Sequence, residues 1–227
     1  MAGIDSETLV KKKVLVVDDH PVTRRAIASL LDATEDLVLS GEAADVTGAL
    51  KAIEAYHPDV VIVDMRLRDS NGIDLLKDIH VRWPKLPVLV FSMRDESFFA
   101  ERTLRAGARG YVSKTRDPEE LIEGIHSVLG GGMYVSSELA EAMVEKFVES
   151  PNAAAGTSLA SRLSDREYEV FELIGEGLPM SELAKRLHIS IKTVESHRDH
   201  IKKKLKVGSS TELLKMAIEW VQSRGGG

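Results

Sequence analysis

The sequence predicts two domains of different class: a doubly wound α/β domain on a five-stranded parallel sheet, then a small all-α domain of four helices. Three observations lead there. Short β-rich runs at Val14–Val17, Leu37–Ser40, Val60–Val63, Val88–Phe91 and Gly110–Val112 are each followed by about ten to fifteen residues of helical periodicity. The second half shows helical periodicity alone. Between them lies Glu149-Ser150-Pro151-Asn152-Ala153-Ala154-Ala155-Gly156-Thr157-Ser158, the most linker-like stretch of the chain. Charge changes sign across it: residues 1–150 carry 18 Lys+Arg against 26 Asp+Glu, net −8, while 151–227 carry 12 against 10, net +2. The expected division is an N-terminal extension 1–12, an α/β domain 13–130, a connecting helix and flexible linker 131–158, and a helical domain 159–227.

Each element has a local cause. Val60-Val61-Ile62-Val63 and Val88-Leu89-Val90-Phe91 are apolar without alternation, which suits parallel strands covered by helices on both faces. Pro21 opens the first helix. Asp117-Pro118-Glu119-Glu120 offers the fifth a cap, a fixed φ and an acidic first turn, and Gly130-Gly131-Gly132 stops it. Beyond the linker, Ser164-Asp165-Arg166-Glu167 is a capping box ahead of Tyr168, Phe171 and Ile174, and Gly175 and Gly177 end that helix. A second helix is expected from about Ser181 to Leu187, a turn at His188-Ile189, and a third helix capped by Ser190 and running to Leu205. Two helices joined by a tight turn form a helix-turn-helix. On the third, Val194, Ile201 and Leu205 share one stripe, Glu195, Ser196, Asp199 and Lys203 face outward, and His197 and Arg198 flank the stripe. A last helix is expected over Thr211–Val221.

Composition narrows the function. A chain of 227 residues with 43% hydrophobic and 29% charged content is an ordinary globular protein. No apolar run approaches the roughly 18 residues of a membrane span, and no secretion signal is evident, so a cytoplasmic location is expected. With no cysteine, thiol catalysis, disulfides and thiolate metal sites are excluded. Any metal must be held by oxygen or imidazole, which points to hard cations. Positive charge is concentrated from Lys185 to Lys206, where eight basic residues stand against Glu195 and Asp199.

In open α/β sheets, ligands bind beyond the carboxyl ends of the strands. Five polar residues qualify there: Asp18 and Asp19 after the first strand, Asp64 after the third, Ser92 at the end of the fourth, and Lys114 after the fifth. Three carboxylates converging on one crevice repel each other and call for a cation. Mg²⁺ with Lys114 would meet that need and accept phosphate oxygens, making a phosphoryl-transfer pocket with Asp64 as nucleophile. One enzyme class and one binder of related fold or chemistry fit less well. A haloacid-dehalogenase-type phosphatase resembles its relatives in an acid/base aspartate two residues after the nucleophile, where this chain has Arg66. A flavin binder of flavodoxin-like fold would need a phosphate loop where Asp18-Asp19-His20 would repel phosphate without a metal.

Residues 13–130 resemble the receiver domain of two-component response regulators, of flavodoxin-like fold. The resemblance rests on Val16-Val17-Asp18-Asp19-His20-Pro21, Val63-Asp64-Met65-Arg66-Leu67 with Asn71-Gly72 downstream, Phe91-Ser92-Met93, and Gly107-Ala108-Arg109-Gly110-Tyr111-Val112-Ser113-Lys114. It implies that Asp64 is the phosphoacceptor and that Asp19, Asp64 and the backbone carbonyl of Arg66 bind Mg²⁺, with Asp18 assisting through water. It also implies that Ser92 and Lys114 contact the phosphoryl group and that Tyr111 is the aromatic that turns inward on activation. Met93, bulkier than the residue often found after the switch hydroxyl, and Thr115, where many receivers have proline, depart from the pattern; Arg66 and Arg94 flank the pocket.

Residues 160–224 resemble the LuxR-type helix-turn-helix that accompanies receivers in the NarL/FixJ class. Leu163-Ser164-Asp165-Arg166-Glu167, Gly177-Leu178-Pro179, Glu182-Leu183-Ala184 and Thr193-Val194-Glu195-Ser196-His197-Arg198 carry the match. The expected DNA contacts are Lys192, Thr193, Glu195, Ser196, Arg198, Asp199, Lys202 and Lys203, with lysines and Thr193 on phosphates and outward residues at base edges. Leu213, Leu214, Ala217, Ile218 and Val221 fall where the family places its DNA-bound dimer contact, and core packing can hold beside that role. Met180 departs from the asparagine that commonly caps the second helix. The implied function is a phosphorylation-dependent transcriptional regulator, not a dedicated enzyme. Its implied partners are a sensor histidine kinase, double-stranded DNA with a two-fold-symmetric site, and a second copy when active, with no membrane.

Overall fold

The computed structural model describes residues 10–67, 70–93, 96–149, 162–187 and 189–222. Arg94, His188 and linker residues 150–161 lie outside the described residues, as does the start of the chain to residue 9. The chain divides into two compact units, Met1–Glu149 and Ser150–Gly227.

In the first unit the strands are β1 (Lys12–Val17), β2 (Leu37–Ala43), β3 (Val60–Val63), the short pair β4 (Arg66–Leu67) and β5 (Ser70–Asn71), β6 (Val88–Ser92) and β7 (Gly110–Ser113). The helices are α1 (Pro21–Asp32), α2 (Val46–Tyr56), α3 (Gly72–Arg82), α4 (Glu96–Arg105), α5 (Pro118–Leu129) and α6 (Ser137–Glu149). The main sheet is five-stranded and parallel in the order β2-β1-β3-β6-β7. The antiparallel β4–β5 pair just after β3 was not expected.

Burial explains why the central strands lack alternation. Val14 to Val17 and Val60 to Val63 are all at most 1% exposed. Val14, Val16, Val60 and Ile62 pack with Ile27 and Leu31 of α1 and Leu121, Ile125 and Val128 of α5, while the intervening residues turn to the opposite face. Pro21 stands at the first turn of α1 as expected. Asp117 occupies the N-cap of α5 but makes no side-chain capping bond, so that helix start rests on Pro118 and its acidic first turn rather than on the expected cap. Gly131, at φ 83°, supplies the left-handed residue after α5.

The second unit holds α7 (Asp165–Gly175), α8 (Met180–Arg186), α9 (Ile191–Leu205) and α10 (Ser210–Gln222). The capping box on α7 is complete, with Ser164 Oγ accepting from Glu167 N–H and the Glu167 carboxylate accepting from Ser164 N–H. Ser190 caps α9 through the Thr193 N–H. α8 begins at Met180 behind Pro179 without a side-chain cap, in keeping with the missing asparagine. Tyr168, Phe171, Leu183, Val194, Ile201, Leu213 and Ala217 are fully buried and form the core of this unit. Gly175 closes α7, where a Cβ would collide with the Ala217 carbonyl and Val221 of α10, so its role is close helix packing; Gly177, at φ 78°, makes the turn.

Candidate functional site: an acidic crevice and a basic helix

Strand register builds the site. Val17 of β1 lies level with Val63 of β3, so the next residues, Asp18 and Asp64, leave the sheet side by side, and Asp64 N–H donates to Val17 O at 2.8 Å. Ser92 is paired with Ser113 between β6 and β7, which brings Lys114 to the same edge with its N–H on Ser92 O at 2.9 Å. The sheet order reverses direction at β1, so the crevice sits at the topological switch point.

Side chains then converge. Lys114 Nζ donates to Asp18 Oδ2 at 2.6 Å and to Asp64 Oδ2 at 2.7 Å, and it lies 5.7 Å from the Phe91 ring centroid. All three partners are largely excluded from water: the side chains of Lys114, Asp18 and Asp64 are 10%, 2% and 6% exposed. Oxygens of Asp18, Asp19 and Asp64 and a ring nitrogen of His20 fall within 4.8 Å of one another. Asp19 Oδ1 is enclosed without a hydrogen-bond partner, although His20 Nδ1 lies 2.7 Å away as an ion-pair contact. Ser92 is 1% exposed and Tyr111 0%, so the expected switch aromatic is turned inward.

The frame behind these groups is equally specific. His20 N–H donates to Asp18 Oδ1 at 2.7 Å, Arg66 N–H to Asp64 Oδ1 at 3.3 Å, and Arg24 Nη1 to the Asp18 carbonyl at 2.7 Å while its Nε engages Glu42 at 2.6 Å. A Cβ on Gly72 would approach the Asp64 carbonyl and Met65 Cα to 2.8 Å, so only glycine lets α3 start this close to the acceptor segment. Sequence reasoning passed over the structural part of Arg24, His20 and Phe91. Arg24 was findable, since it sits one turn into a helix whose start adjoins Asp18.

Three carboxylates face one ammonium in the crevice, and the enclosed Asp19 Oδ1 has the His20 ring nitrogen 2.7 Å away. That donor set fits a hard divalent cation, which prefers carboxylate oxygens and keeps waters of its own. The arrangement is an acidic pocket of the kind in which receiver domains bind Mg²⁺.

On α9, Val194, Ile201 and Leu205 are buried as expected. Lys192, Thr193, Glu195, Ser196, Asp199 and Lys203 are exposed, while Lys202, His197 and Arg198 are half-buried. Lys202 Nζ pairs with Asp199 at 2.9 Å, and this bond holds the Asp199 carboxyl below its usual range. Burial, reinforced by Arg166, holds the His197 imidazole below its usual range. Glu167 also receives Lys204 Nζ at 2.6 Å. On α10, Leu213 and Ala217 are 0% exposed within the unit's own core, where they serve as packing residues. Leu214 is 40% exposed, and Ile218 and Val221 are half-buried.

An acidic crevice on a doubly wound sheet, followed by a helix-turn-helix unit, is the arrangement of a signal-responsive regulator of transcription rather than a dedicated enzyme, as the family matches show. The response regulator receiver domain family matches residues 14–126, and the LuxR family of bacterial regulatory proteins matches residues 161–217. The chain is 33% identical over 210 residues to the oxygen regulatory protein NreC of Staphylococcus aureus (strain JH9), covering 91% of this chain and 97% of that one. It is similar to the structure of RcsB from Salmonella enterica serovar Typhimurium bound to promoter rprA in the presence of phosphomimetic BeF3-, with TM-score 0.60, 27% identity, and coverage of 90% and 97%. A second RcsB structure, from Salmonella typhimurium, gives TM-score 0.65 at 27% identity, covering 92% and 98%. The chain belongs to the two-component response regulators that join a receiver to a LuxR-type DNA-binding domain. Among the described residues, no helix is long and apolar enough to cross a membrane.

Proposed function

We propose that Asp64 is the phosphoacceptor of this regulator and that its phosphorylation controls DNA binding by α9. The observation that carries the first part is the buried Asp64 carboxylate held at 2.7 Å from Lys114 Nζ beside two further carboxylates. A carboxylate oxygen of Asp64 attacks the phosphorus of a phosphohistidine on a sensor kinase; the P–N bond breaks, its electron pair stays with the imidazole, and an acyl phosphate forms. Asp19, Asp64 and the backbone carbonyl of Arg66 would hold Mg²⁺, with Asp18 engaged through water. When bound, the ion supplies charge neutralisation for the phosphoryl oxygens. Lys114, already on Asp64, passes to the new phosphoryl oxygens, and Ser92 donates to another, so both loops that carry them are drawn toward Asp64.

For DNA, Lys192, Thr193, Lys202 and Lys203 meet phosphates, while Glu195, Ser196 and Asp199 face base edges. Arg198 Nε, enclosed without a hydrogen-bond partner, belongs to a guanidinium whose remaining donors a phosphate can engage. The promoter-bound RcsB structure supports this reading. Leu214, Ile218 and Val221 supply the contact to a second copy on a two-fold-symmetric site.

The test is intact-mass measurement after incubation with a small phosphodonor and Mg²⁺. One phosphoryl group should add to the wild-type chain and none to Asp64→Asn, and chelation of Mg²⁺ should slow uptake sharply. Labelling of Asp64→Asn at the wild-type rate would remove the assignment.

A further inference from the structure

The chain leaving α5 does not simply run off the first unit. Tyr134 N–H donates to Arg109 O at 3.0 Å and Tyr134 O accepts from Tyr111 N–H at 2.8 Å, a parallel bridge opposite Gly110 on the outer side of β7. The approach depends on Gly110, where a Cβ would lie 2.7 Å from the Tyr134 carbonyl. Gly110 pairs with Leu89 of β6 on its other side, so Tyr134 lies on the outer edge of the sheet. The backbone of the inward-turned Tyr111 is thus bonded directly to the segment that starts the connection to the DNA-binding unit.

Two residues later the start of α6 is held again. Ser136, 9% exposed, gives its N–H to Glu96 Oε1 at 2.8 Å, and its Oγ accepts from Leu139 N–H at 3.2 Å as a helix cap. Leu139 is 8% exposed, so this turn is docked. Glu96 is the first residue of α4, its side chain is 11% exposed, and a carboxylate accepting from a backbone donor at a helix start is favoured by both charge and dipole. Arg116 Nη2 donates to Glu138 Oε2 at 3.0 Å and lies 4.0 Å from Glu96, with Nη1 3.7 Å from Glu120. The Arg116–Glu138 contact is the weaker hold, since Glu138 is 74% exposed.

The placement of these two clamps in sequence is the point. Glu96 follows Ser92 by four residues, and Arg116 follows Lys114 by two. Both adjoin positions that a phosphoryl group on Asp64 would draw inward, Glu96 at the start of α4 and Arg116 just after Lys114.

We propose that the first turn of α6 is a latch read by phosphorylation: Glu96 and Arg116 hold it, and engagement of Ser92 and Lys114 by the phosphoryl group releases it. The proposal rests on the assignment of Asp64, Ser92 and Lys114 given above. Glu96 is a positioning residue. Its carboxylate meets the Ser136 N–H and Arg116, and it acts by fixing where the connection to the second unit begins.

The experiment is amide hydrogen exchange on the full chain at Ser136 and Leu139, with and without a small phosphodonor and Mg²⁺, phosphoryl content being followed by intact mass. Phosphorylated wild type should exchange these amides about fivefold or more faster. Glu96→Ala should take up phosphoryl at a near wild-type rate, exchange fast without it, and gain nothing further from it. Glu96→Gln keeps an acceptor oxygen and should restore both slow exchange and the response. Unchanged exchange at Ser136 in chains that carry the phosphoryl group overturns the latch, as does wild-type exchange in Glu96→Ala. Should Glu96→Ala unravel α4, visible as lost protection at the buried Ala100 and Thr103, Arg116→Ala decides: a smaller rise at Leu139 supports the latch and none overturns it. A chain that takes up no phosphoryl group fails by mass first, which removes the Asp64 assignment and the latch with it.

Discussion

Replacing Asp19 with asparagine should stabilise the first unit in the absence of metal while abolishing its response to Mg²⁺. Oxygens of Asp18, Asp19 and Asp64 lie within 4.8 Å of one another. At an effective dielectric of about 20, two unit charges at that distance repel by about 3.5 kcal/mol. Asp19 meets this from two neighbours, while Lys114 is committed at 2.6 and 2.7 Å to the other two carboxylates and offsets only part of it. The Asp19 side chain is 17% exposed, so water screens the rest incompletely. The lost contact to His20 subtracts little, because that imidazole is 59% exposed. A net relief of about 1–3 kcal/mol follows, which for a unit of this size raises Tm by about 3–10 °C. Mg²⁺ at about a hundred times its Kd should stabilise wild type by about 2.7 kcal/mol, and Asp19→Asn by far less. Thermal melts in chelator and in Mg²⁺ read both effects. A lower Tm for the variant in chelator, or an undiminished Mg²⁺ shift, would refute the electrostatic account of the site.

Three further outcomes are expected. Burial pushes the Glu167 carboxyl up, but Lys204 and the Ser164 N–H and hydroxyl outweigh it and hold it below the usual range; its stabilisation is therefore complete above about pH 4.3 and is lost as pH falls through the lower folded value. Glu167→Ala should cost about 1–2 kcal/mol in urea melts of residues 159–227 at pH 6, and much less at pH 3. Lys203→Gln should weaken binding to all duplexes alike and lower the salt slope by about one, whereas Glu195→Gln should change the preferred sequence in selections from random duplexes. Residues 159–227 alone should bind a selected duplex without phosphorylation more tightly than the unphosphorylated full chain at matched salt; equal or weaker binding would end the idea that the acidic unit restrains the basic one.

How far the sequence could be read depended on whether a feature is local. β3 was legible because burial on both faces leaves an uninterrupted apolar run, and its bounds, Val60–Val63, agree to the residue. Ser164 and Ser190 were legible as caps because a cap lies three residues from its partner. Asp117 misled for the same reason: the cap position is correct, but nothing in sequence tells whether the carboxylate turns to the helix or to solvent. The convergence of Asp18, Asp64 and Lys114 came from strand order, a topological rule, whereas the grip of Arg24 on the Asp18 carbonyl and the bridge from Tyr134 to β7 depend on tertiary paths that no spacing encodes. Leu213 and Ala217 show the limit of an apolar stripe. One stripe can serve the core, a partner or both, and spacing alone does not say that Leu213 and Ala217 are fully enclosed while Leu214 is 40% exposed.

The crowding that costs this unit stability also fits it to carry a signal. To turn a population from 1:99 to 99:1, the two states must differ by about 5.5 kcal/mol in their interaction with the input. Phosphorylation replaces the single charge of the Asp64 carboxylate with the roughly −1.5 to −2 of a phosphoryl group, a net change of about −0.5 to −1, and moves that charge onto new oxygens. Among groups whose pairwise terms reach about 3.5 kcal/mol each, redirecting a single buried ammonium and one hydroxyl is enough to supply a difference of that size. The same change on an exposed side chain would be screened to about 1 kcal/mol or less and could not. Enclosure of Asp18, Asp64 and Lys114 is therefore what the proposed switch requires. The unfavourable charge balance in the resting crevice makes the added phosphoryl group, and the cation that accompanies it, large perturbations rather than small ones.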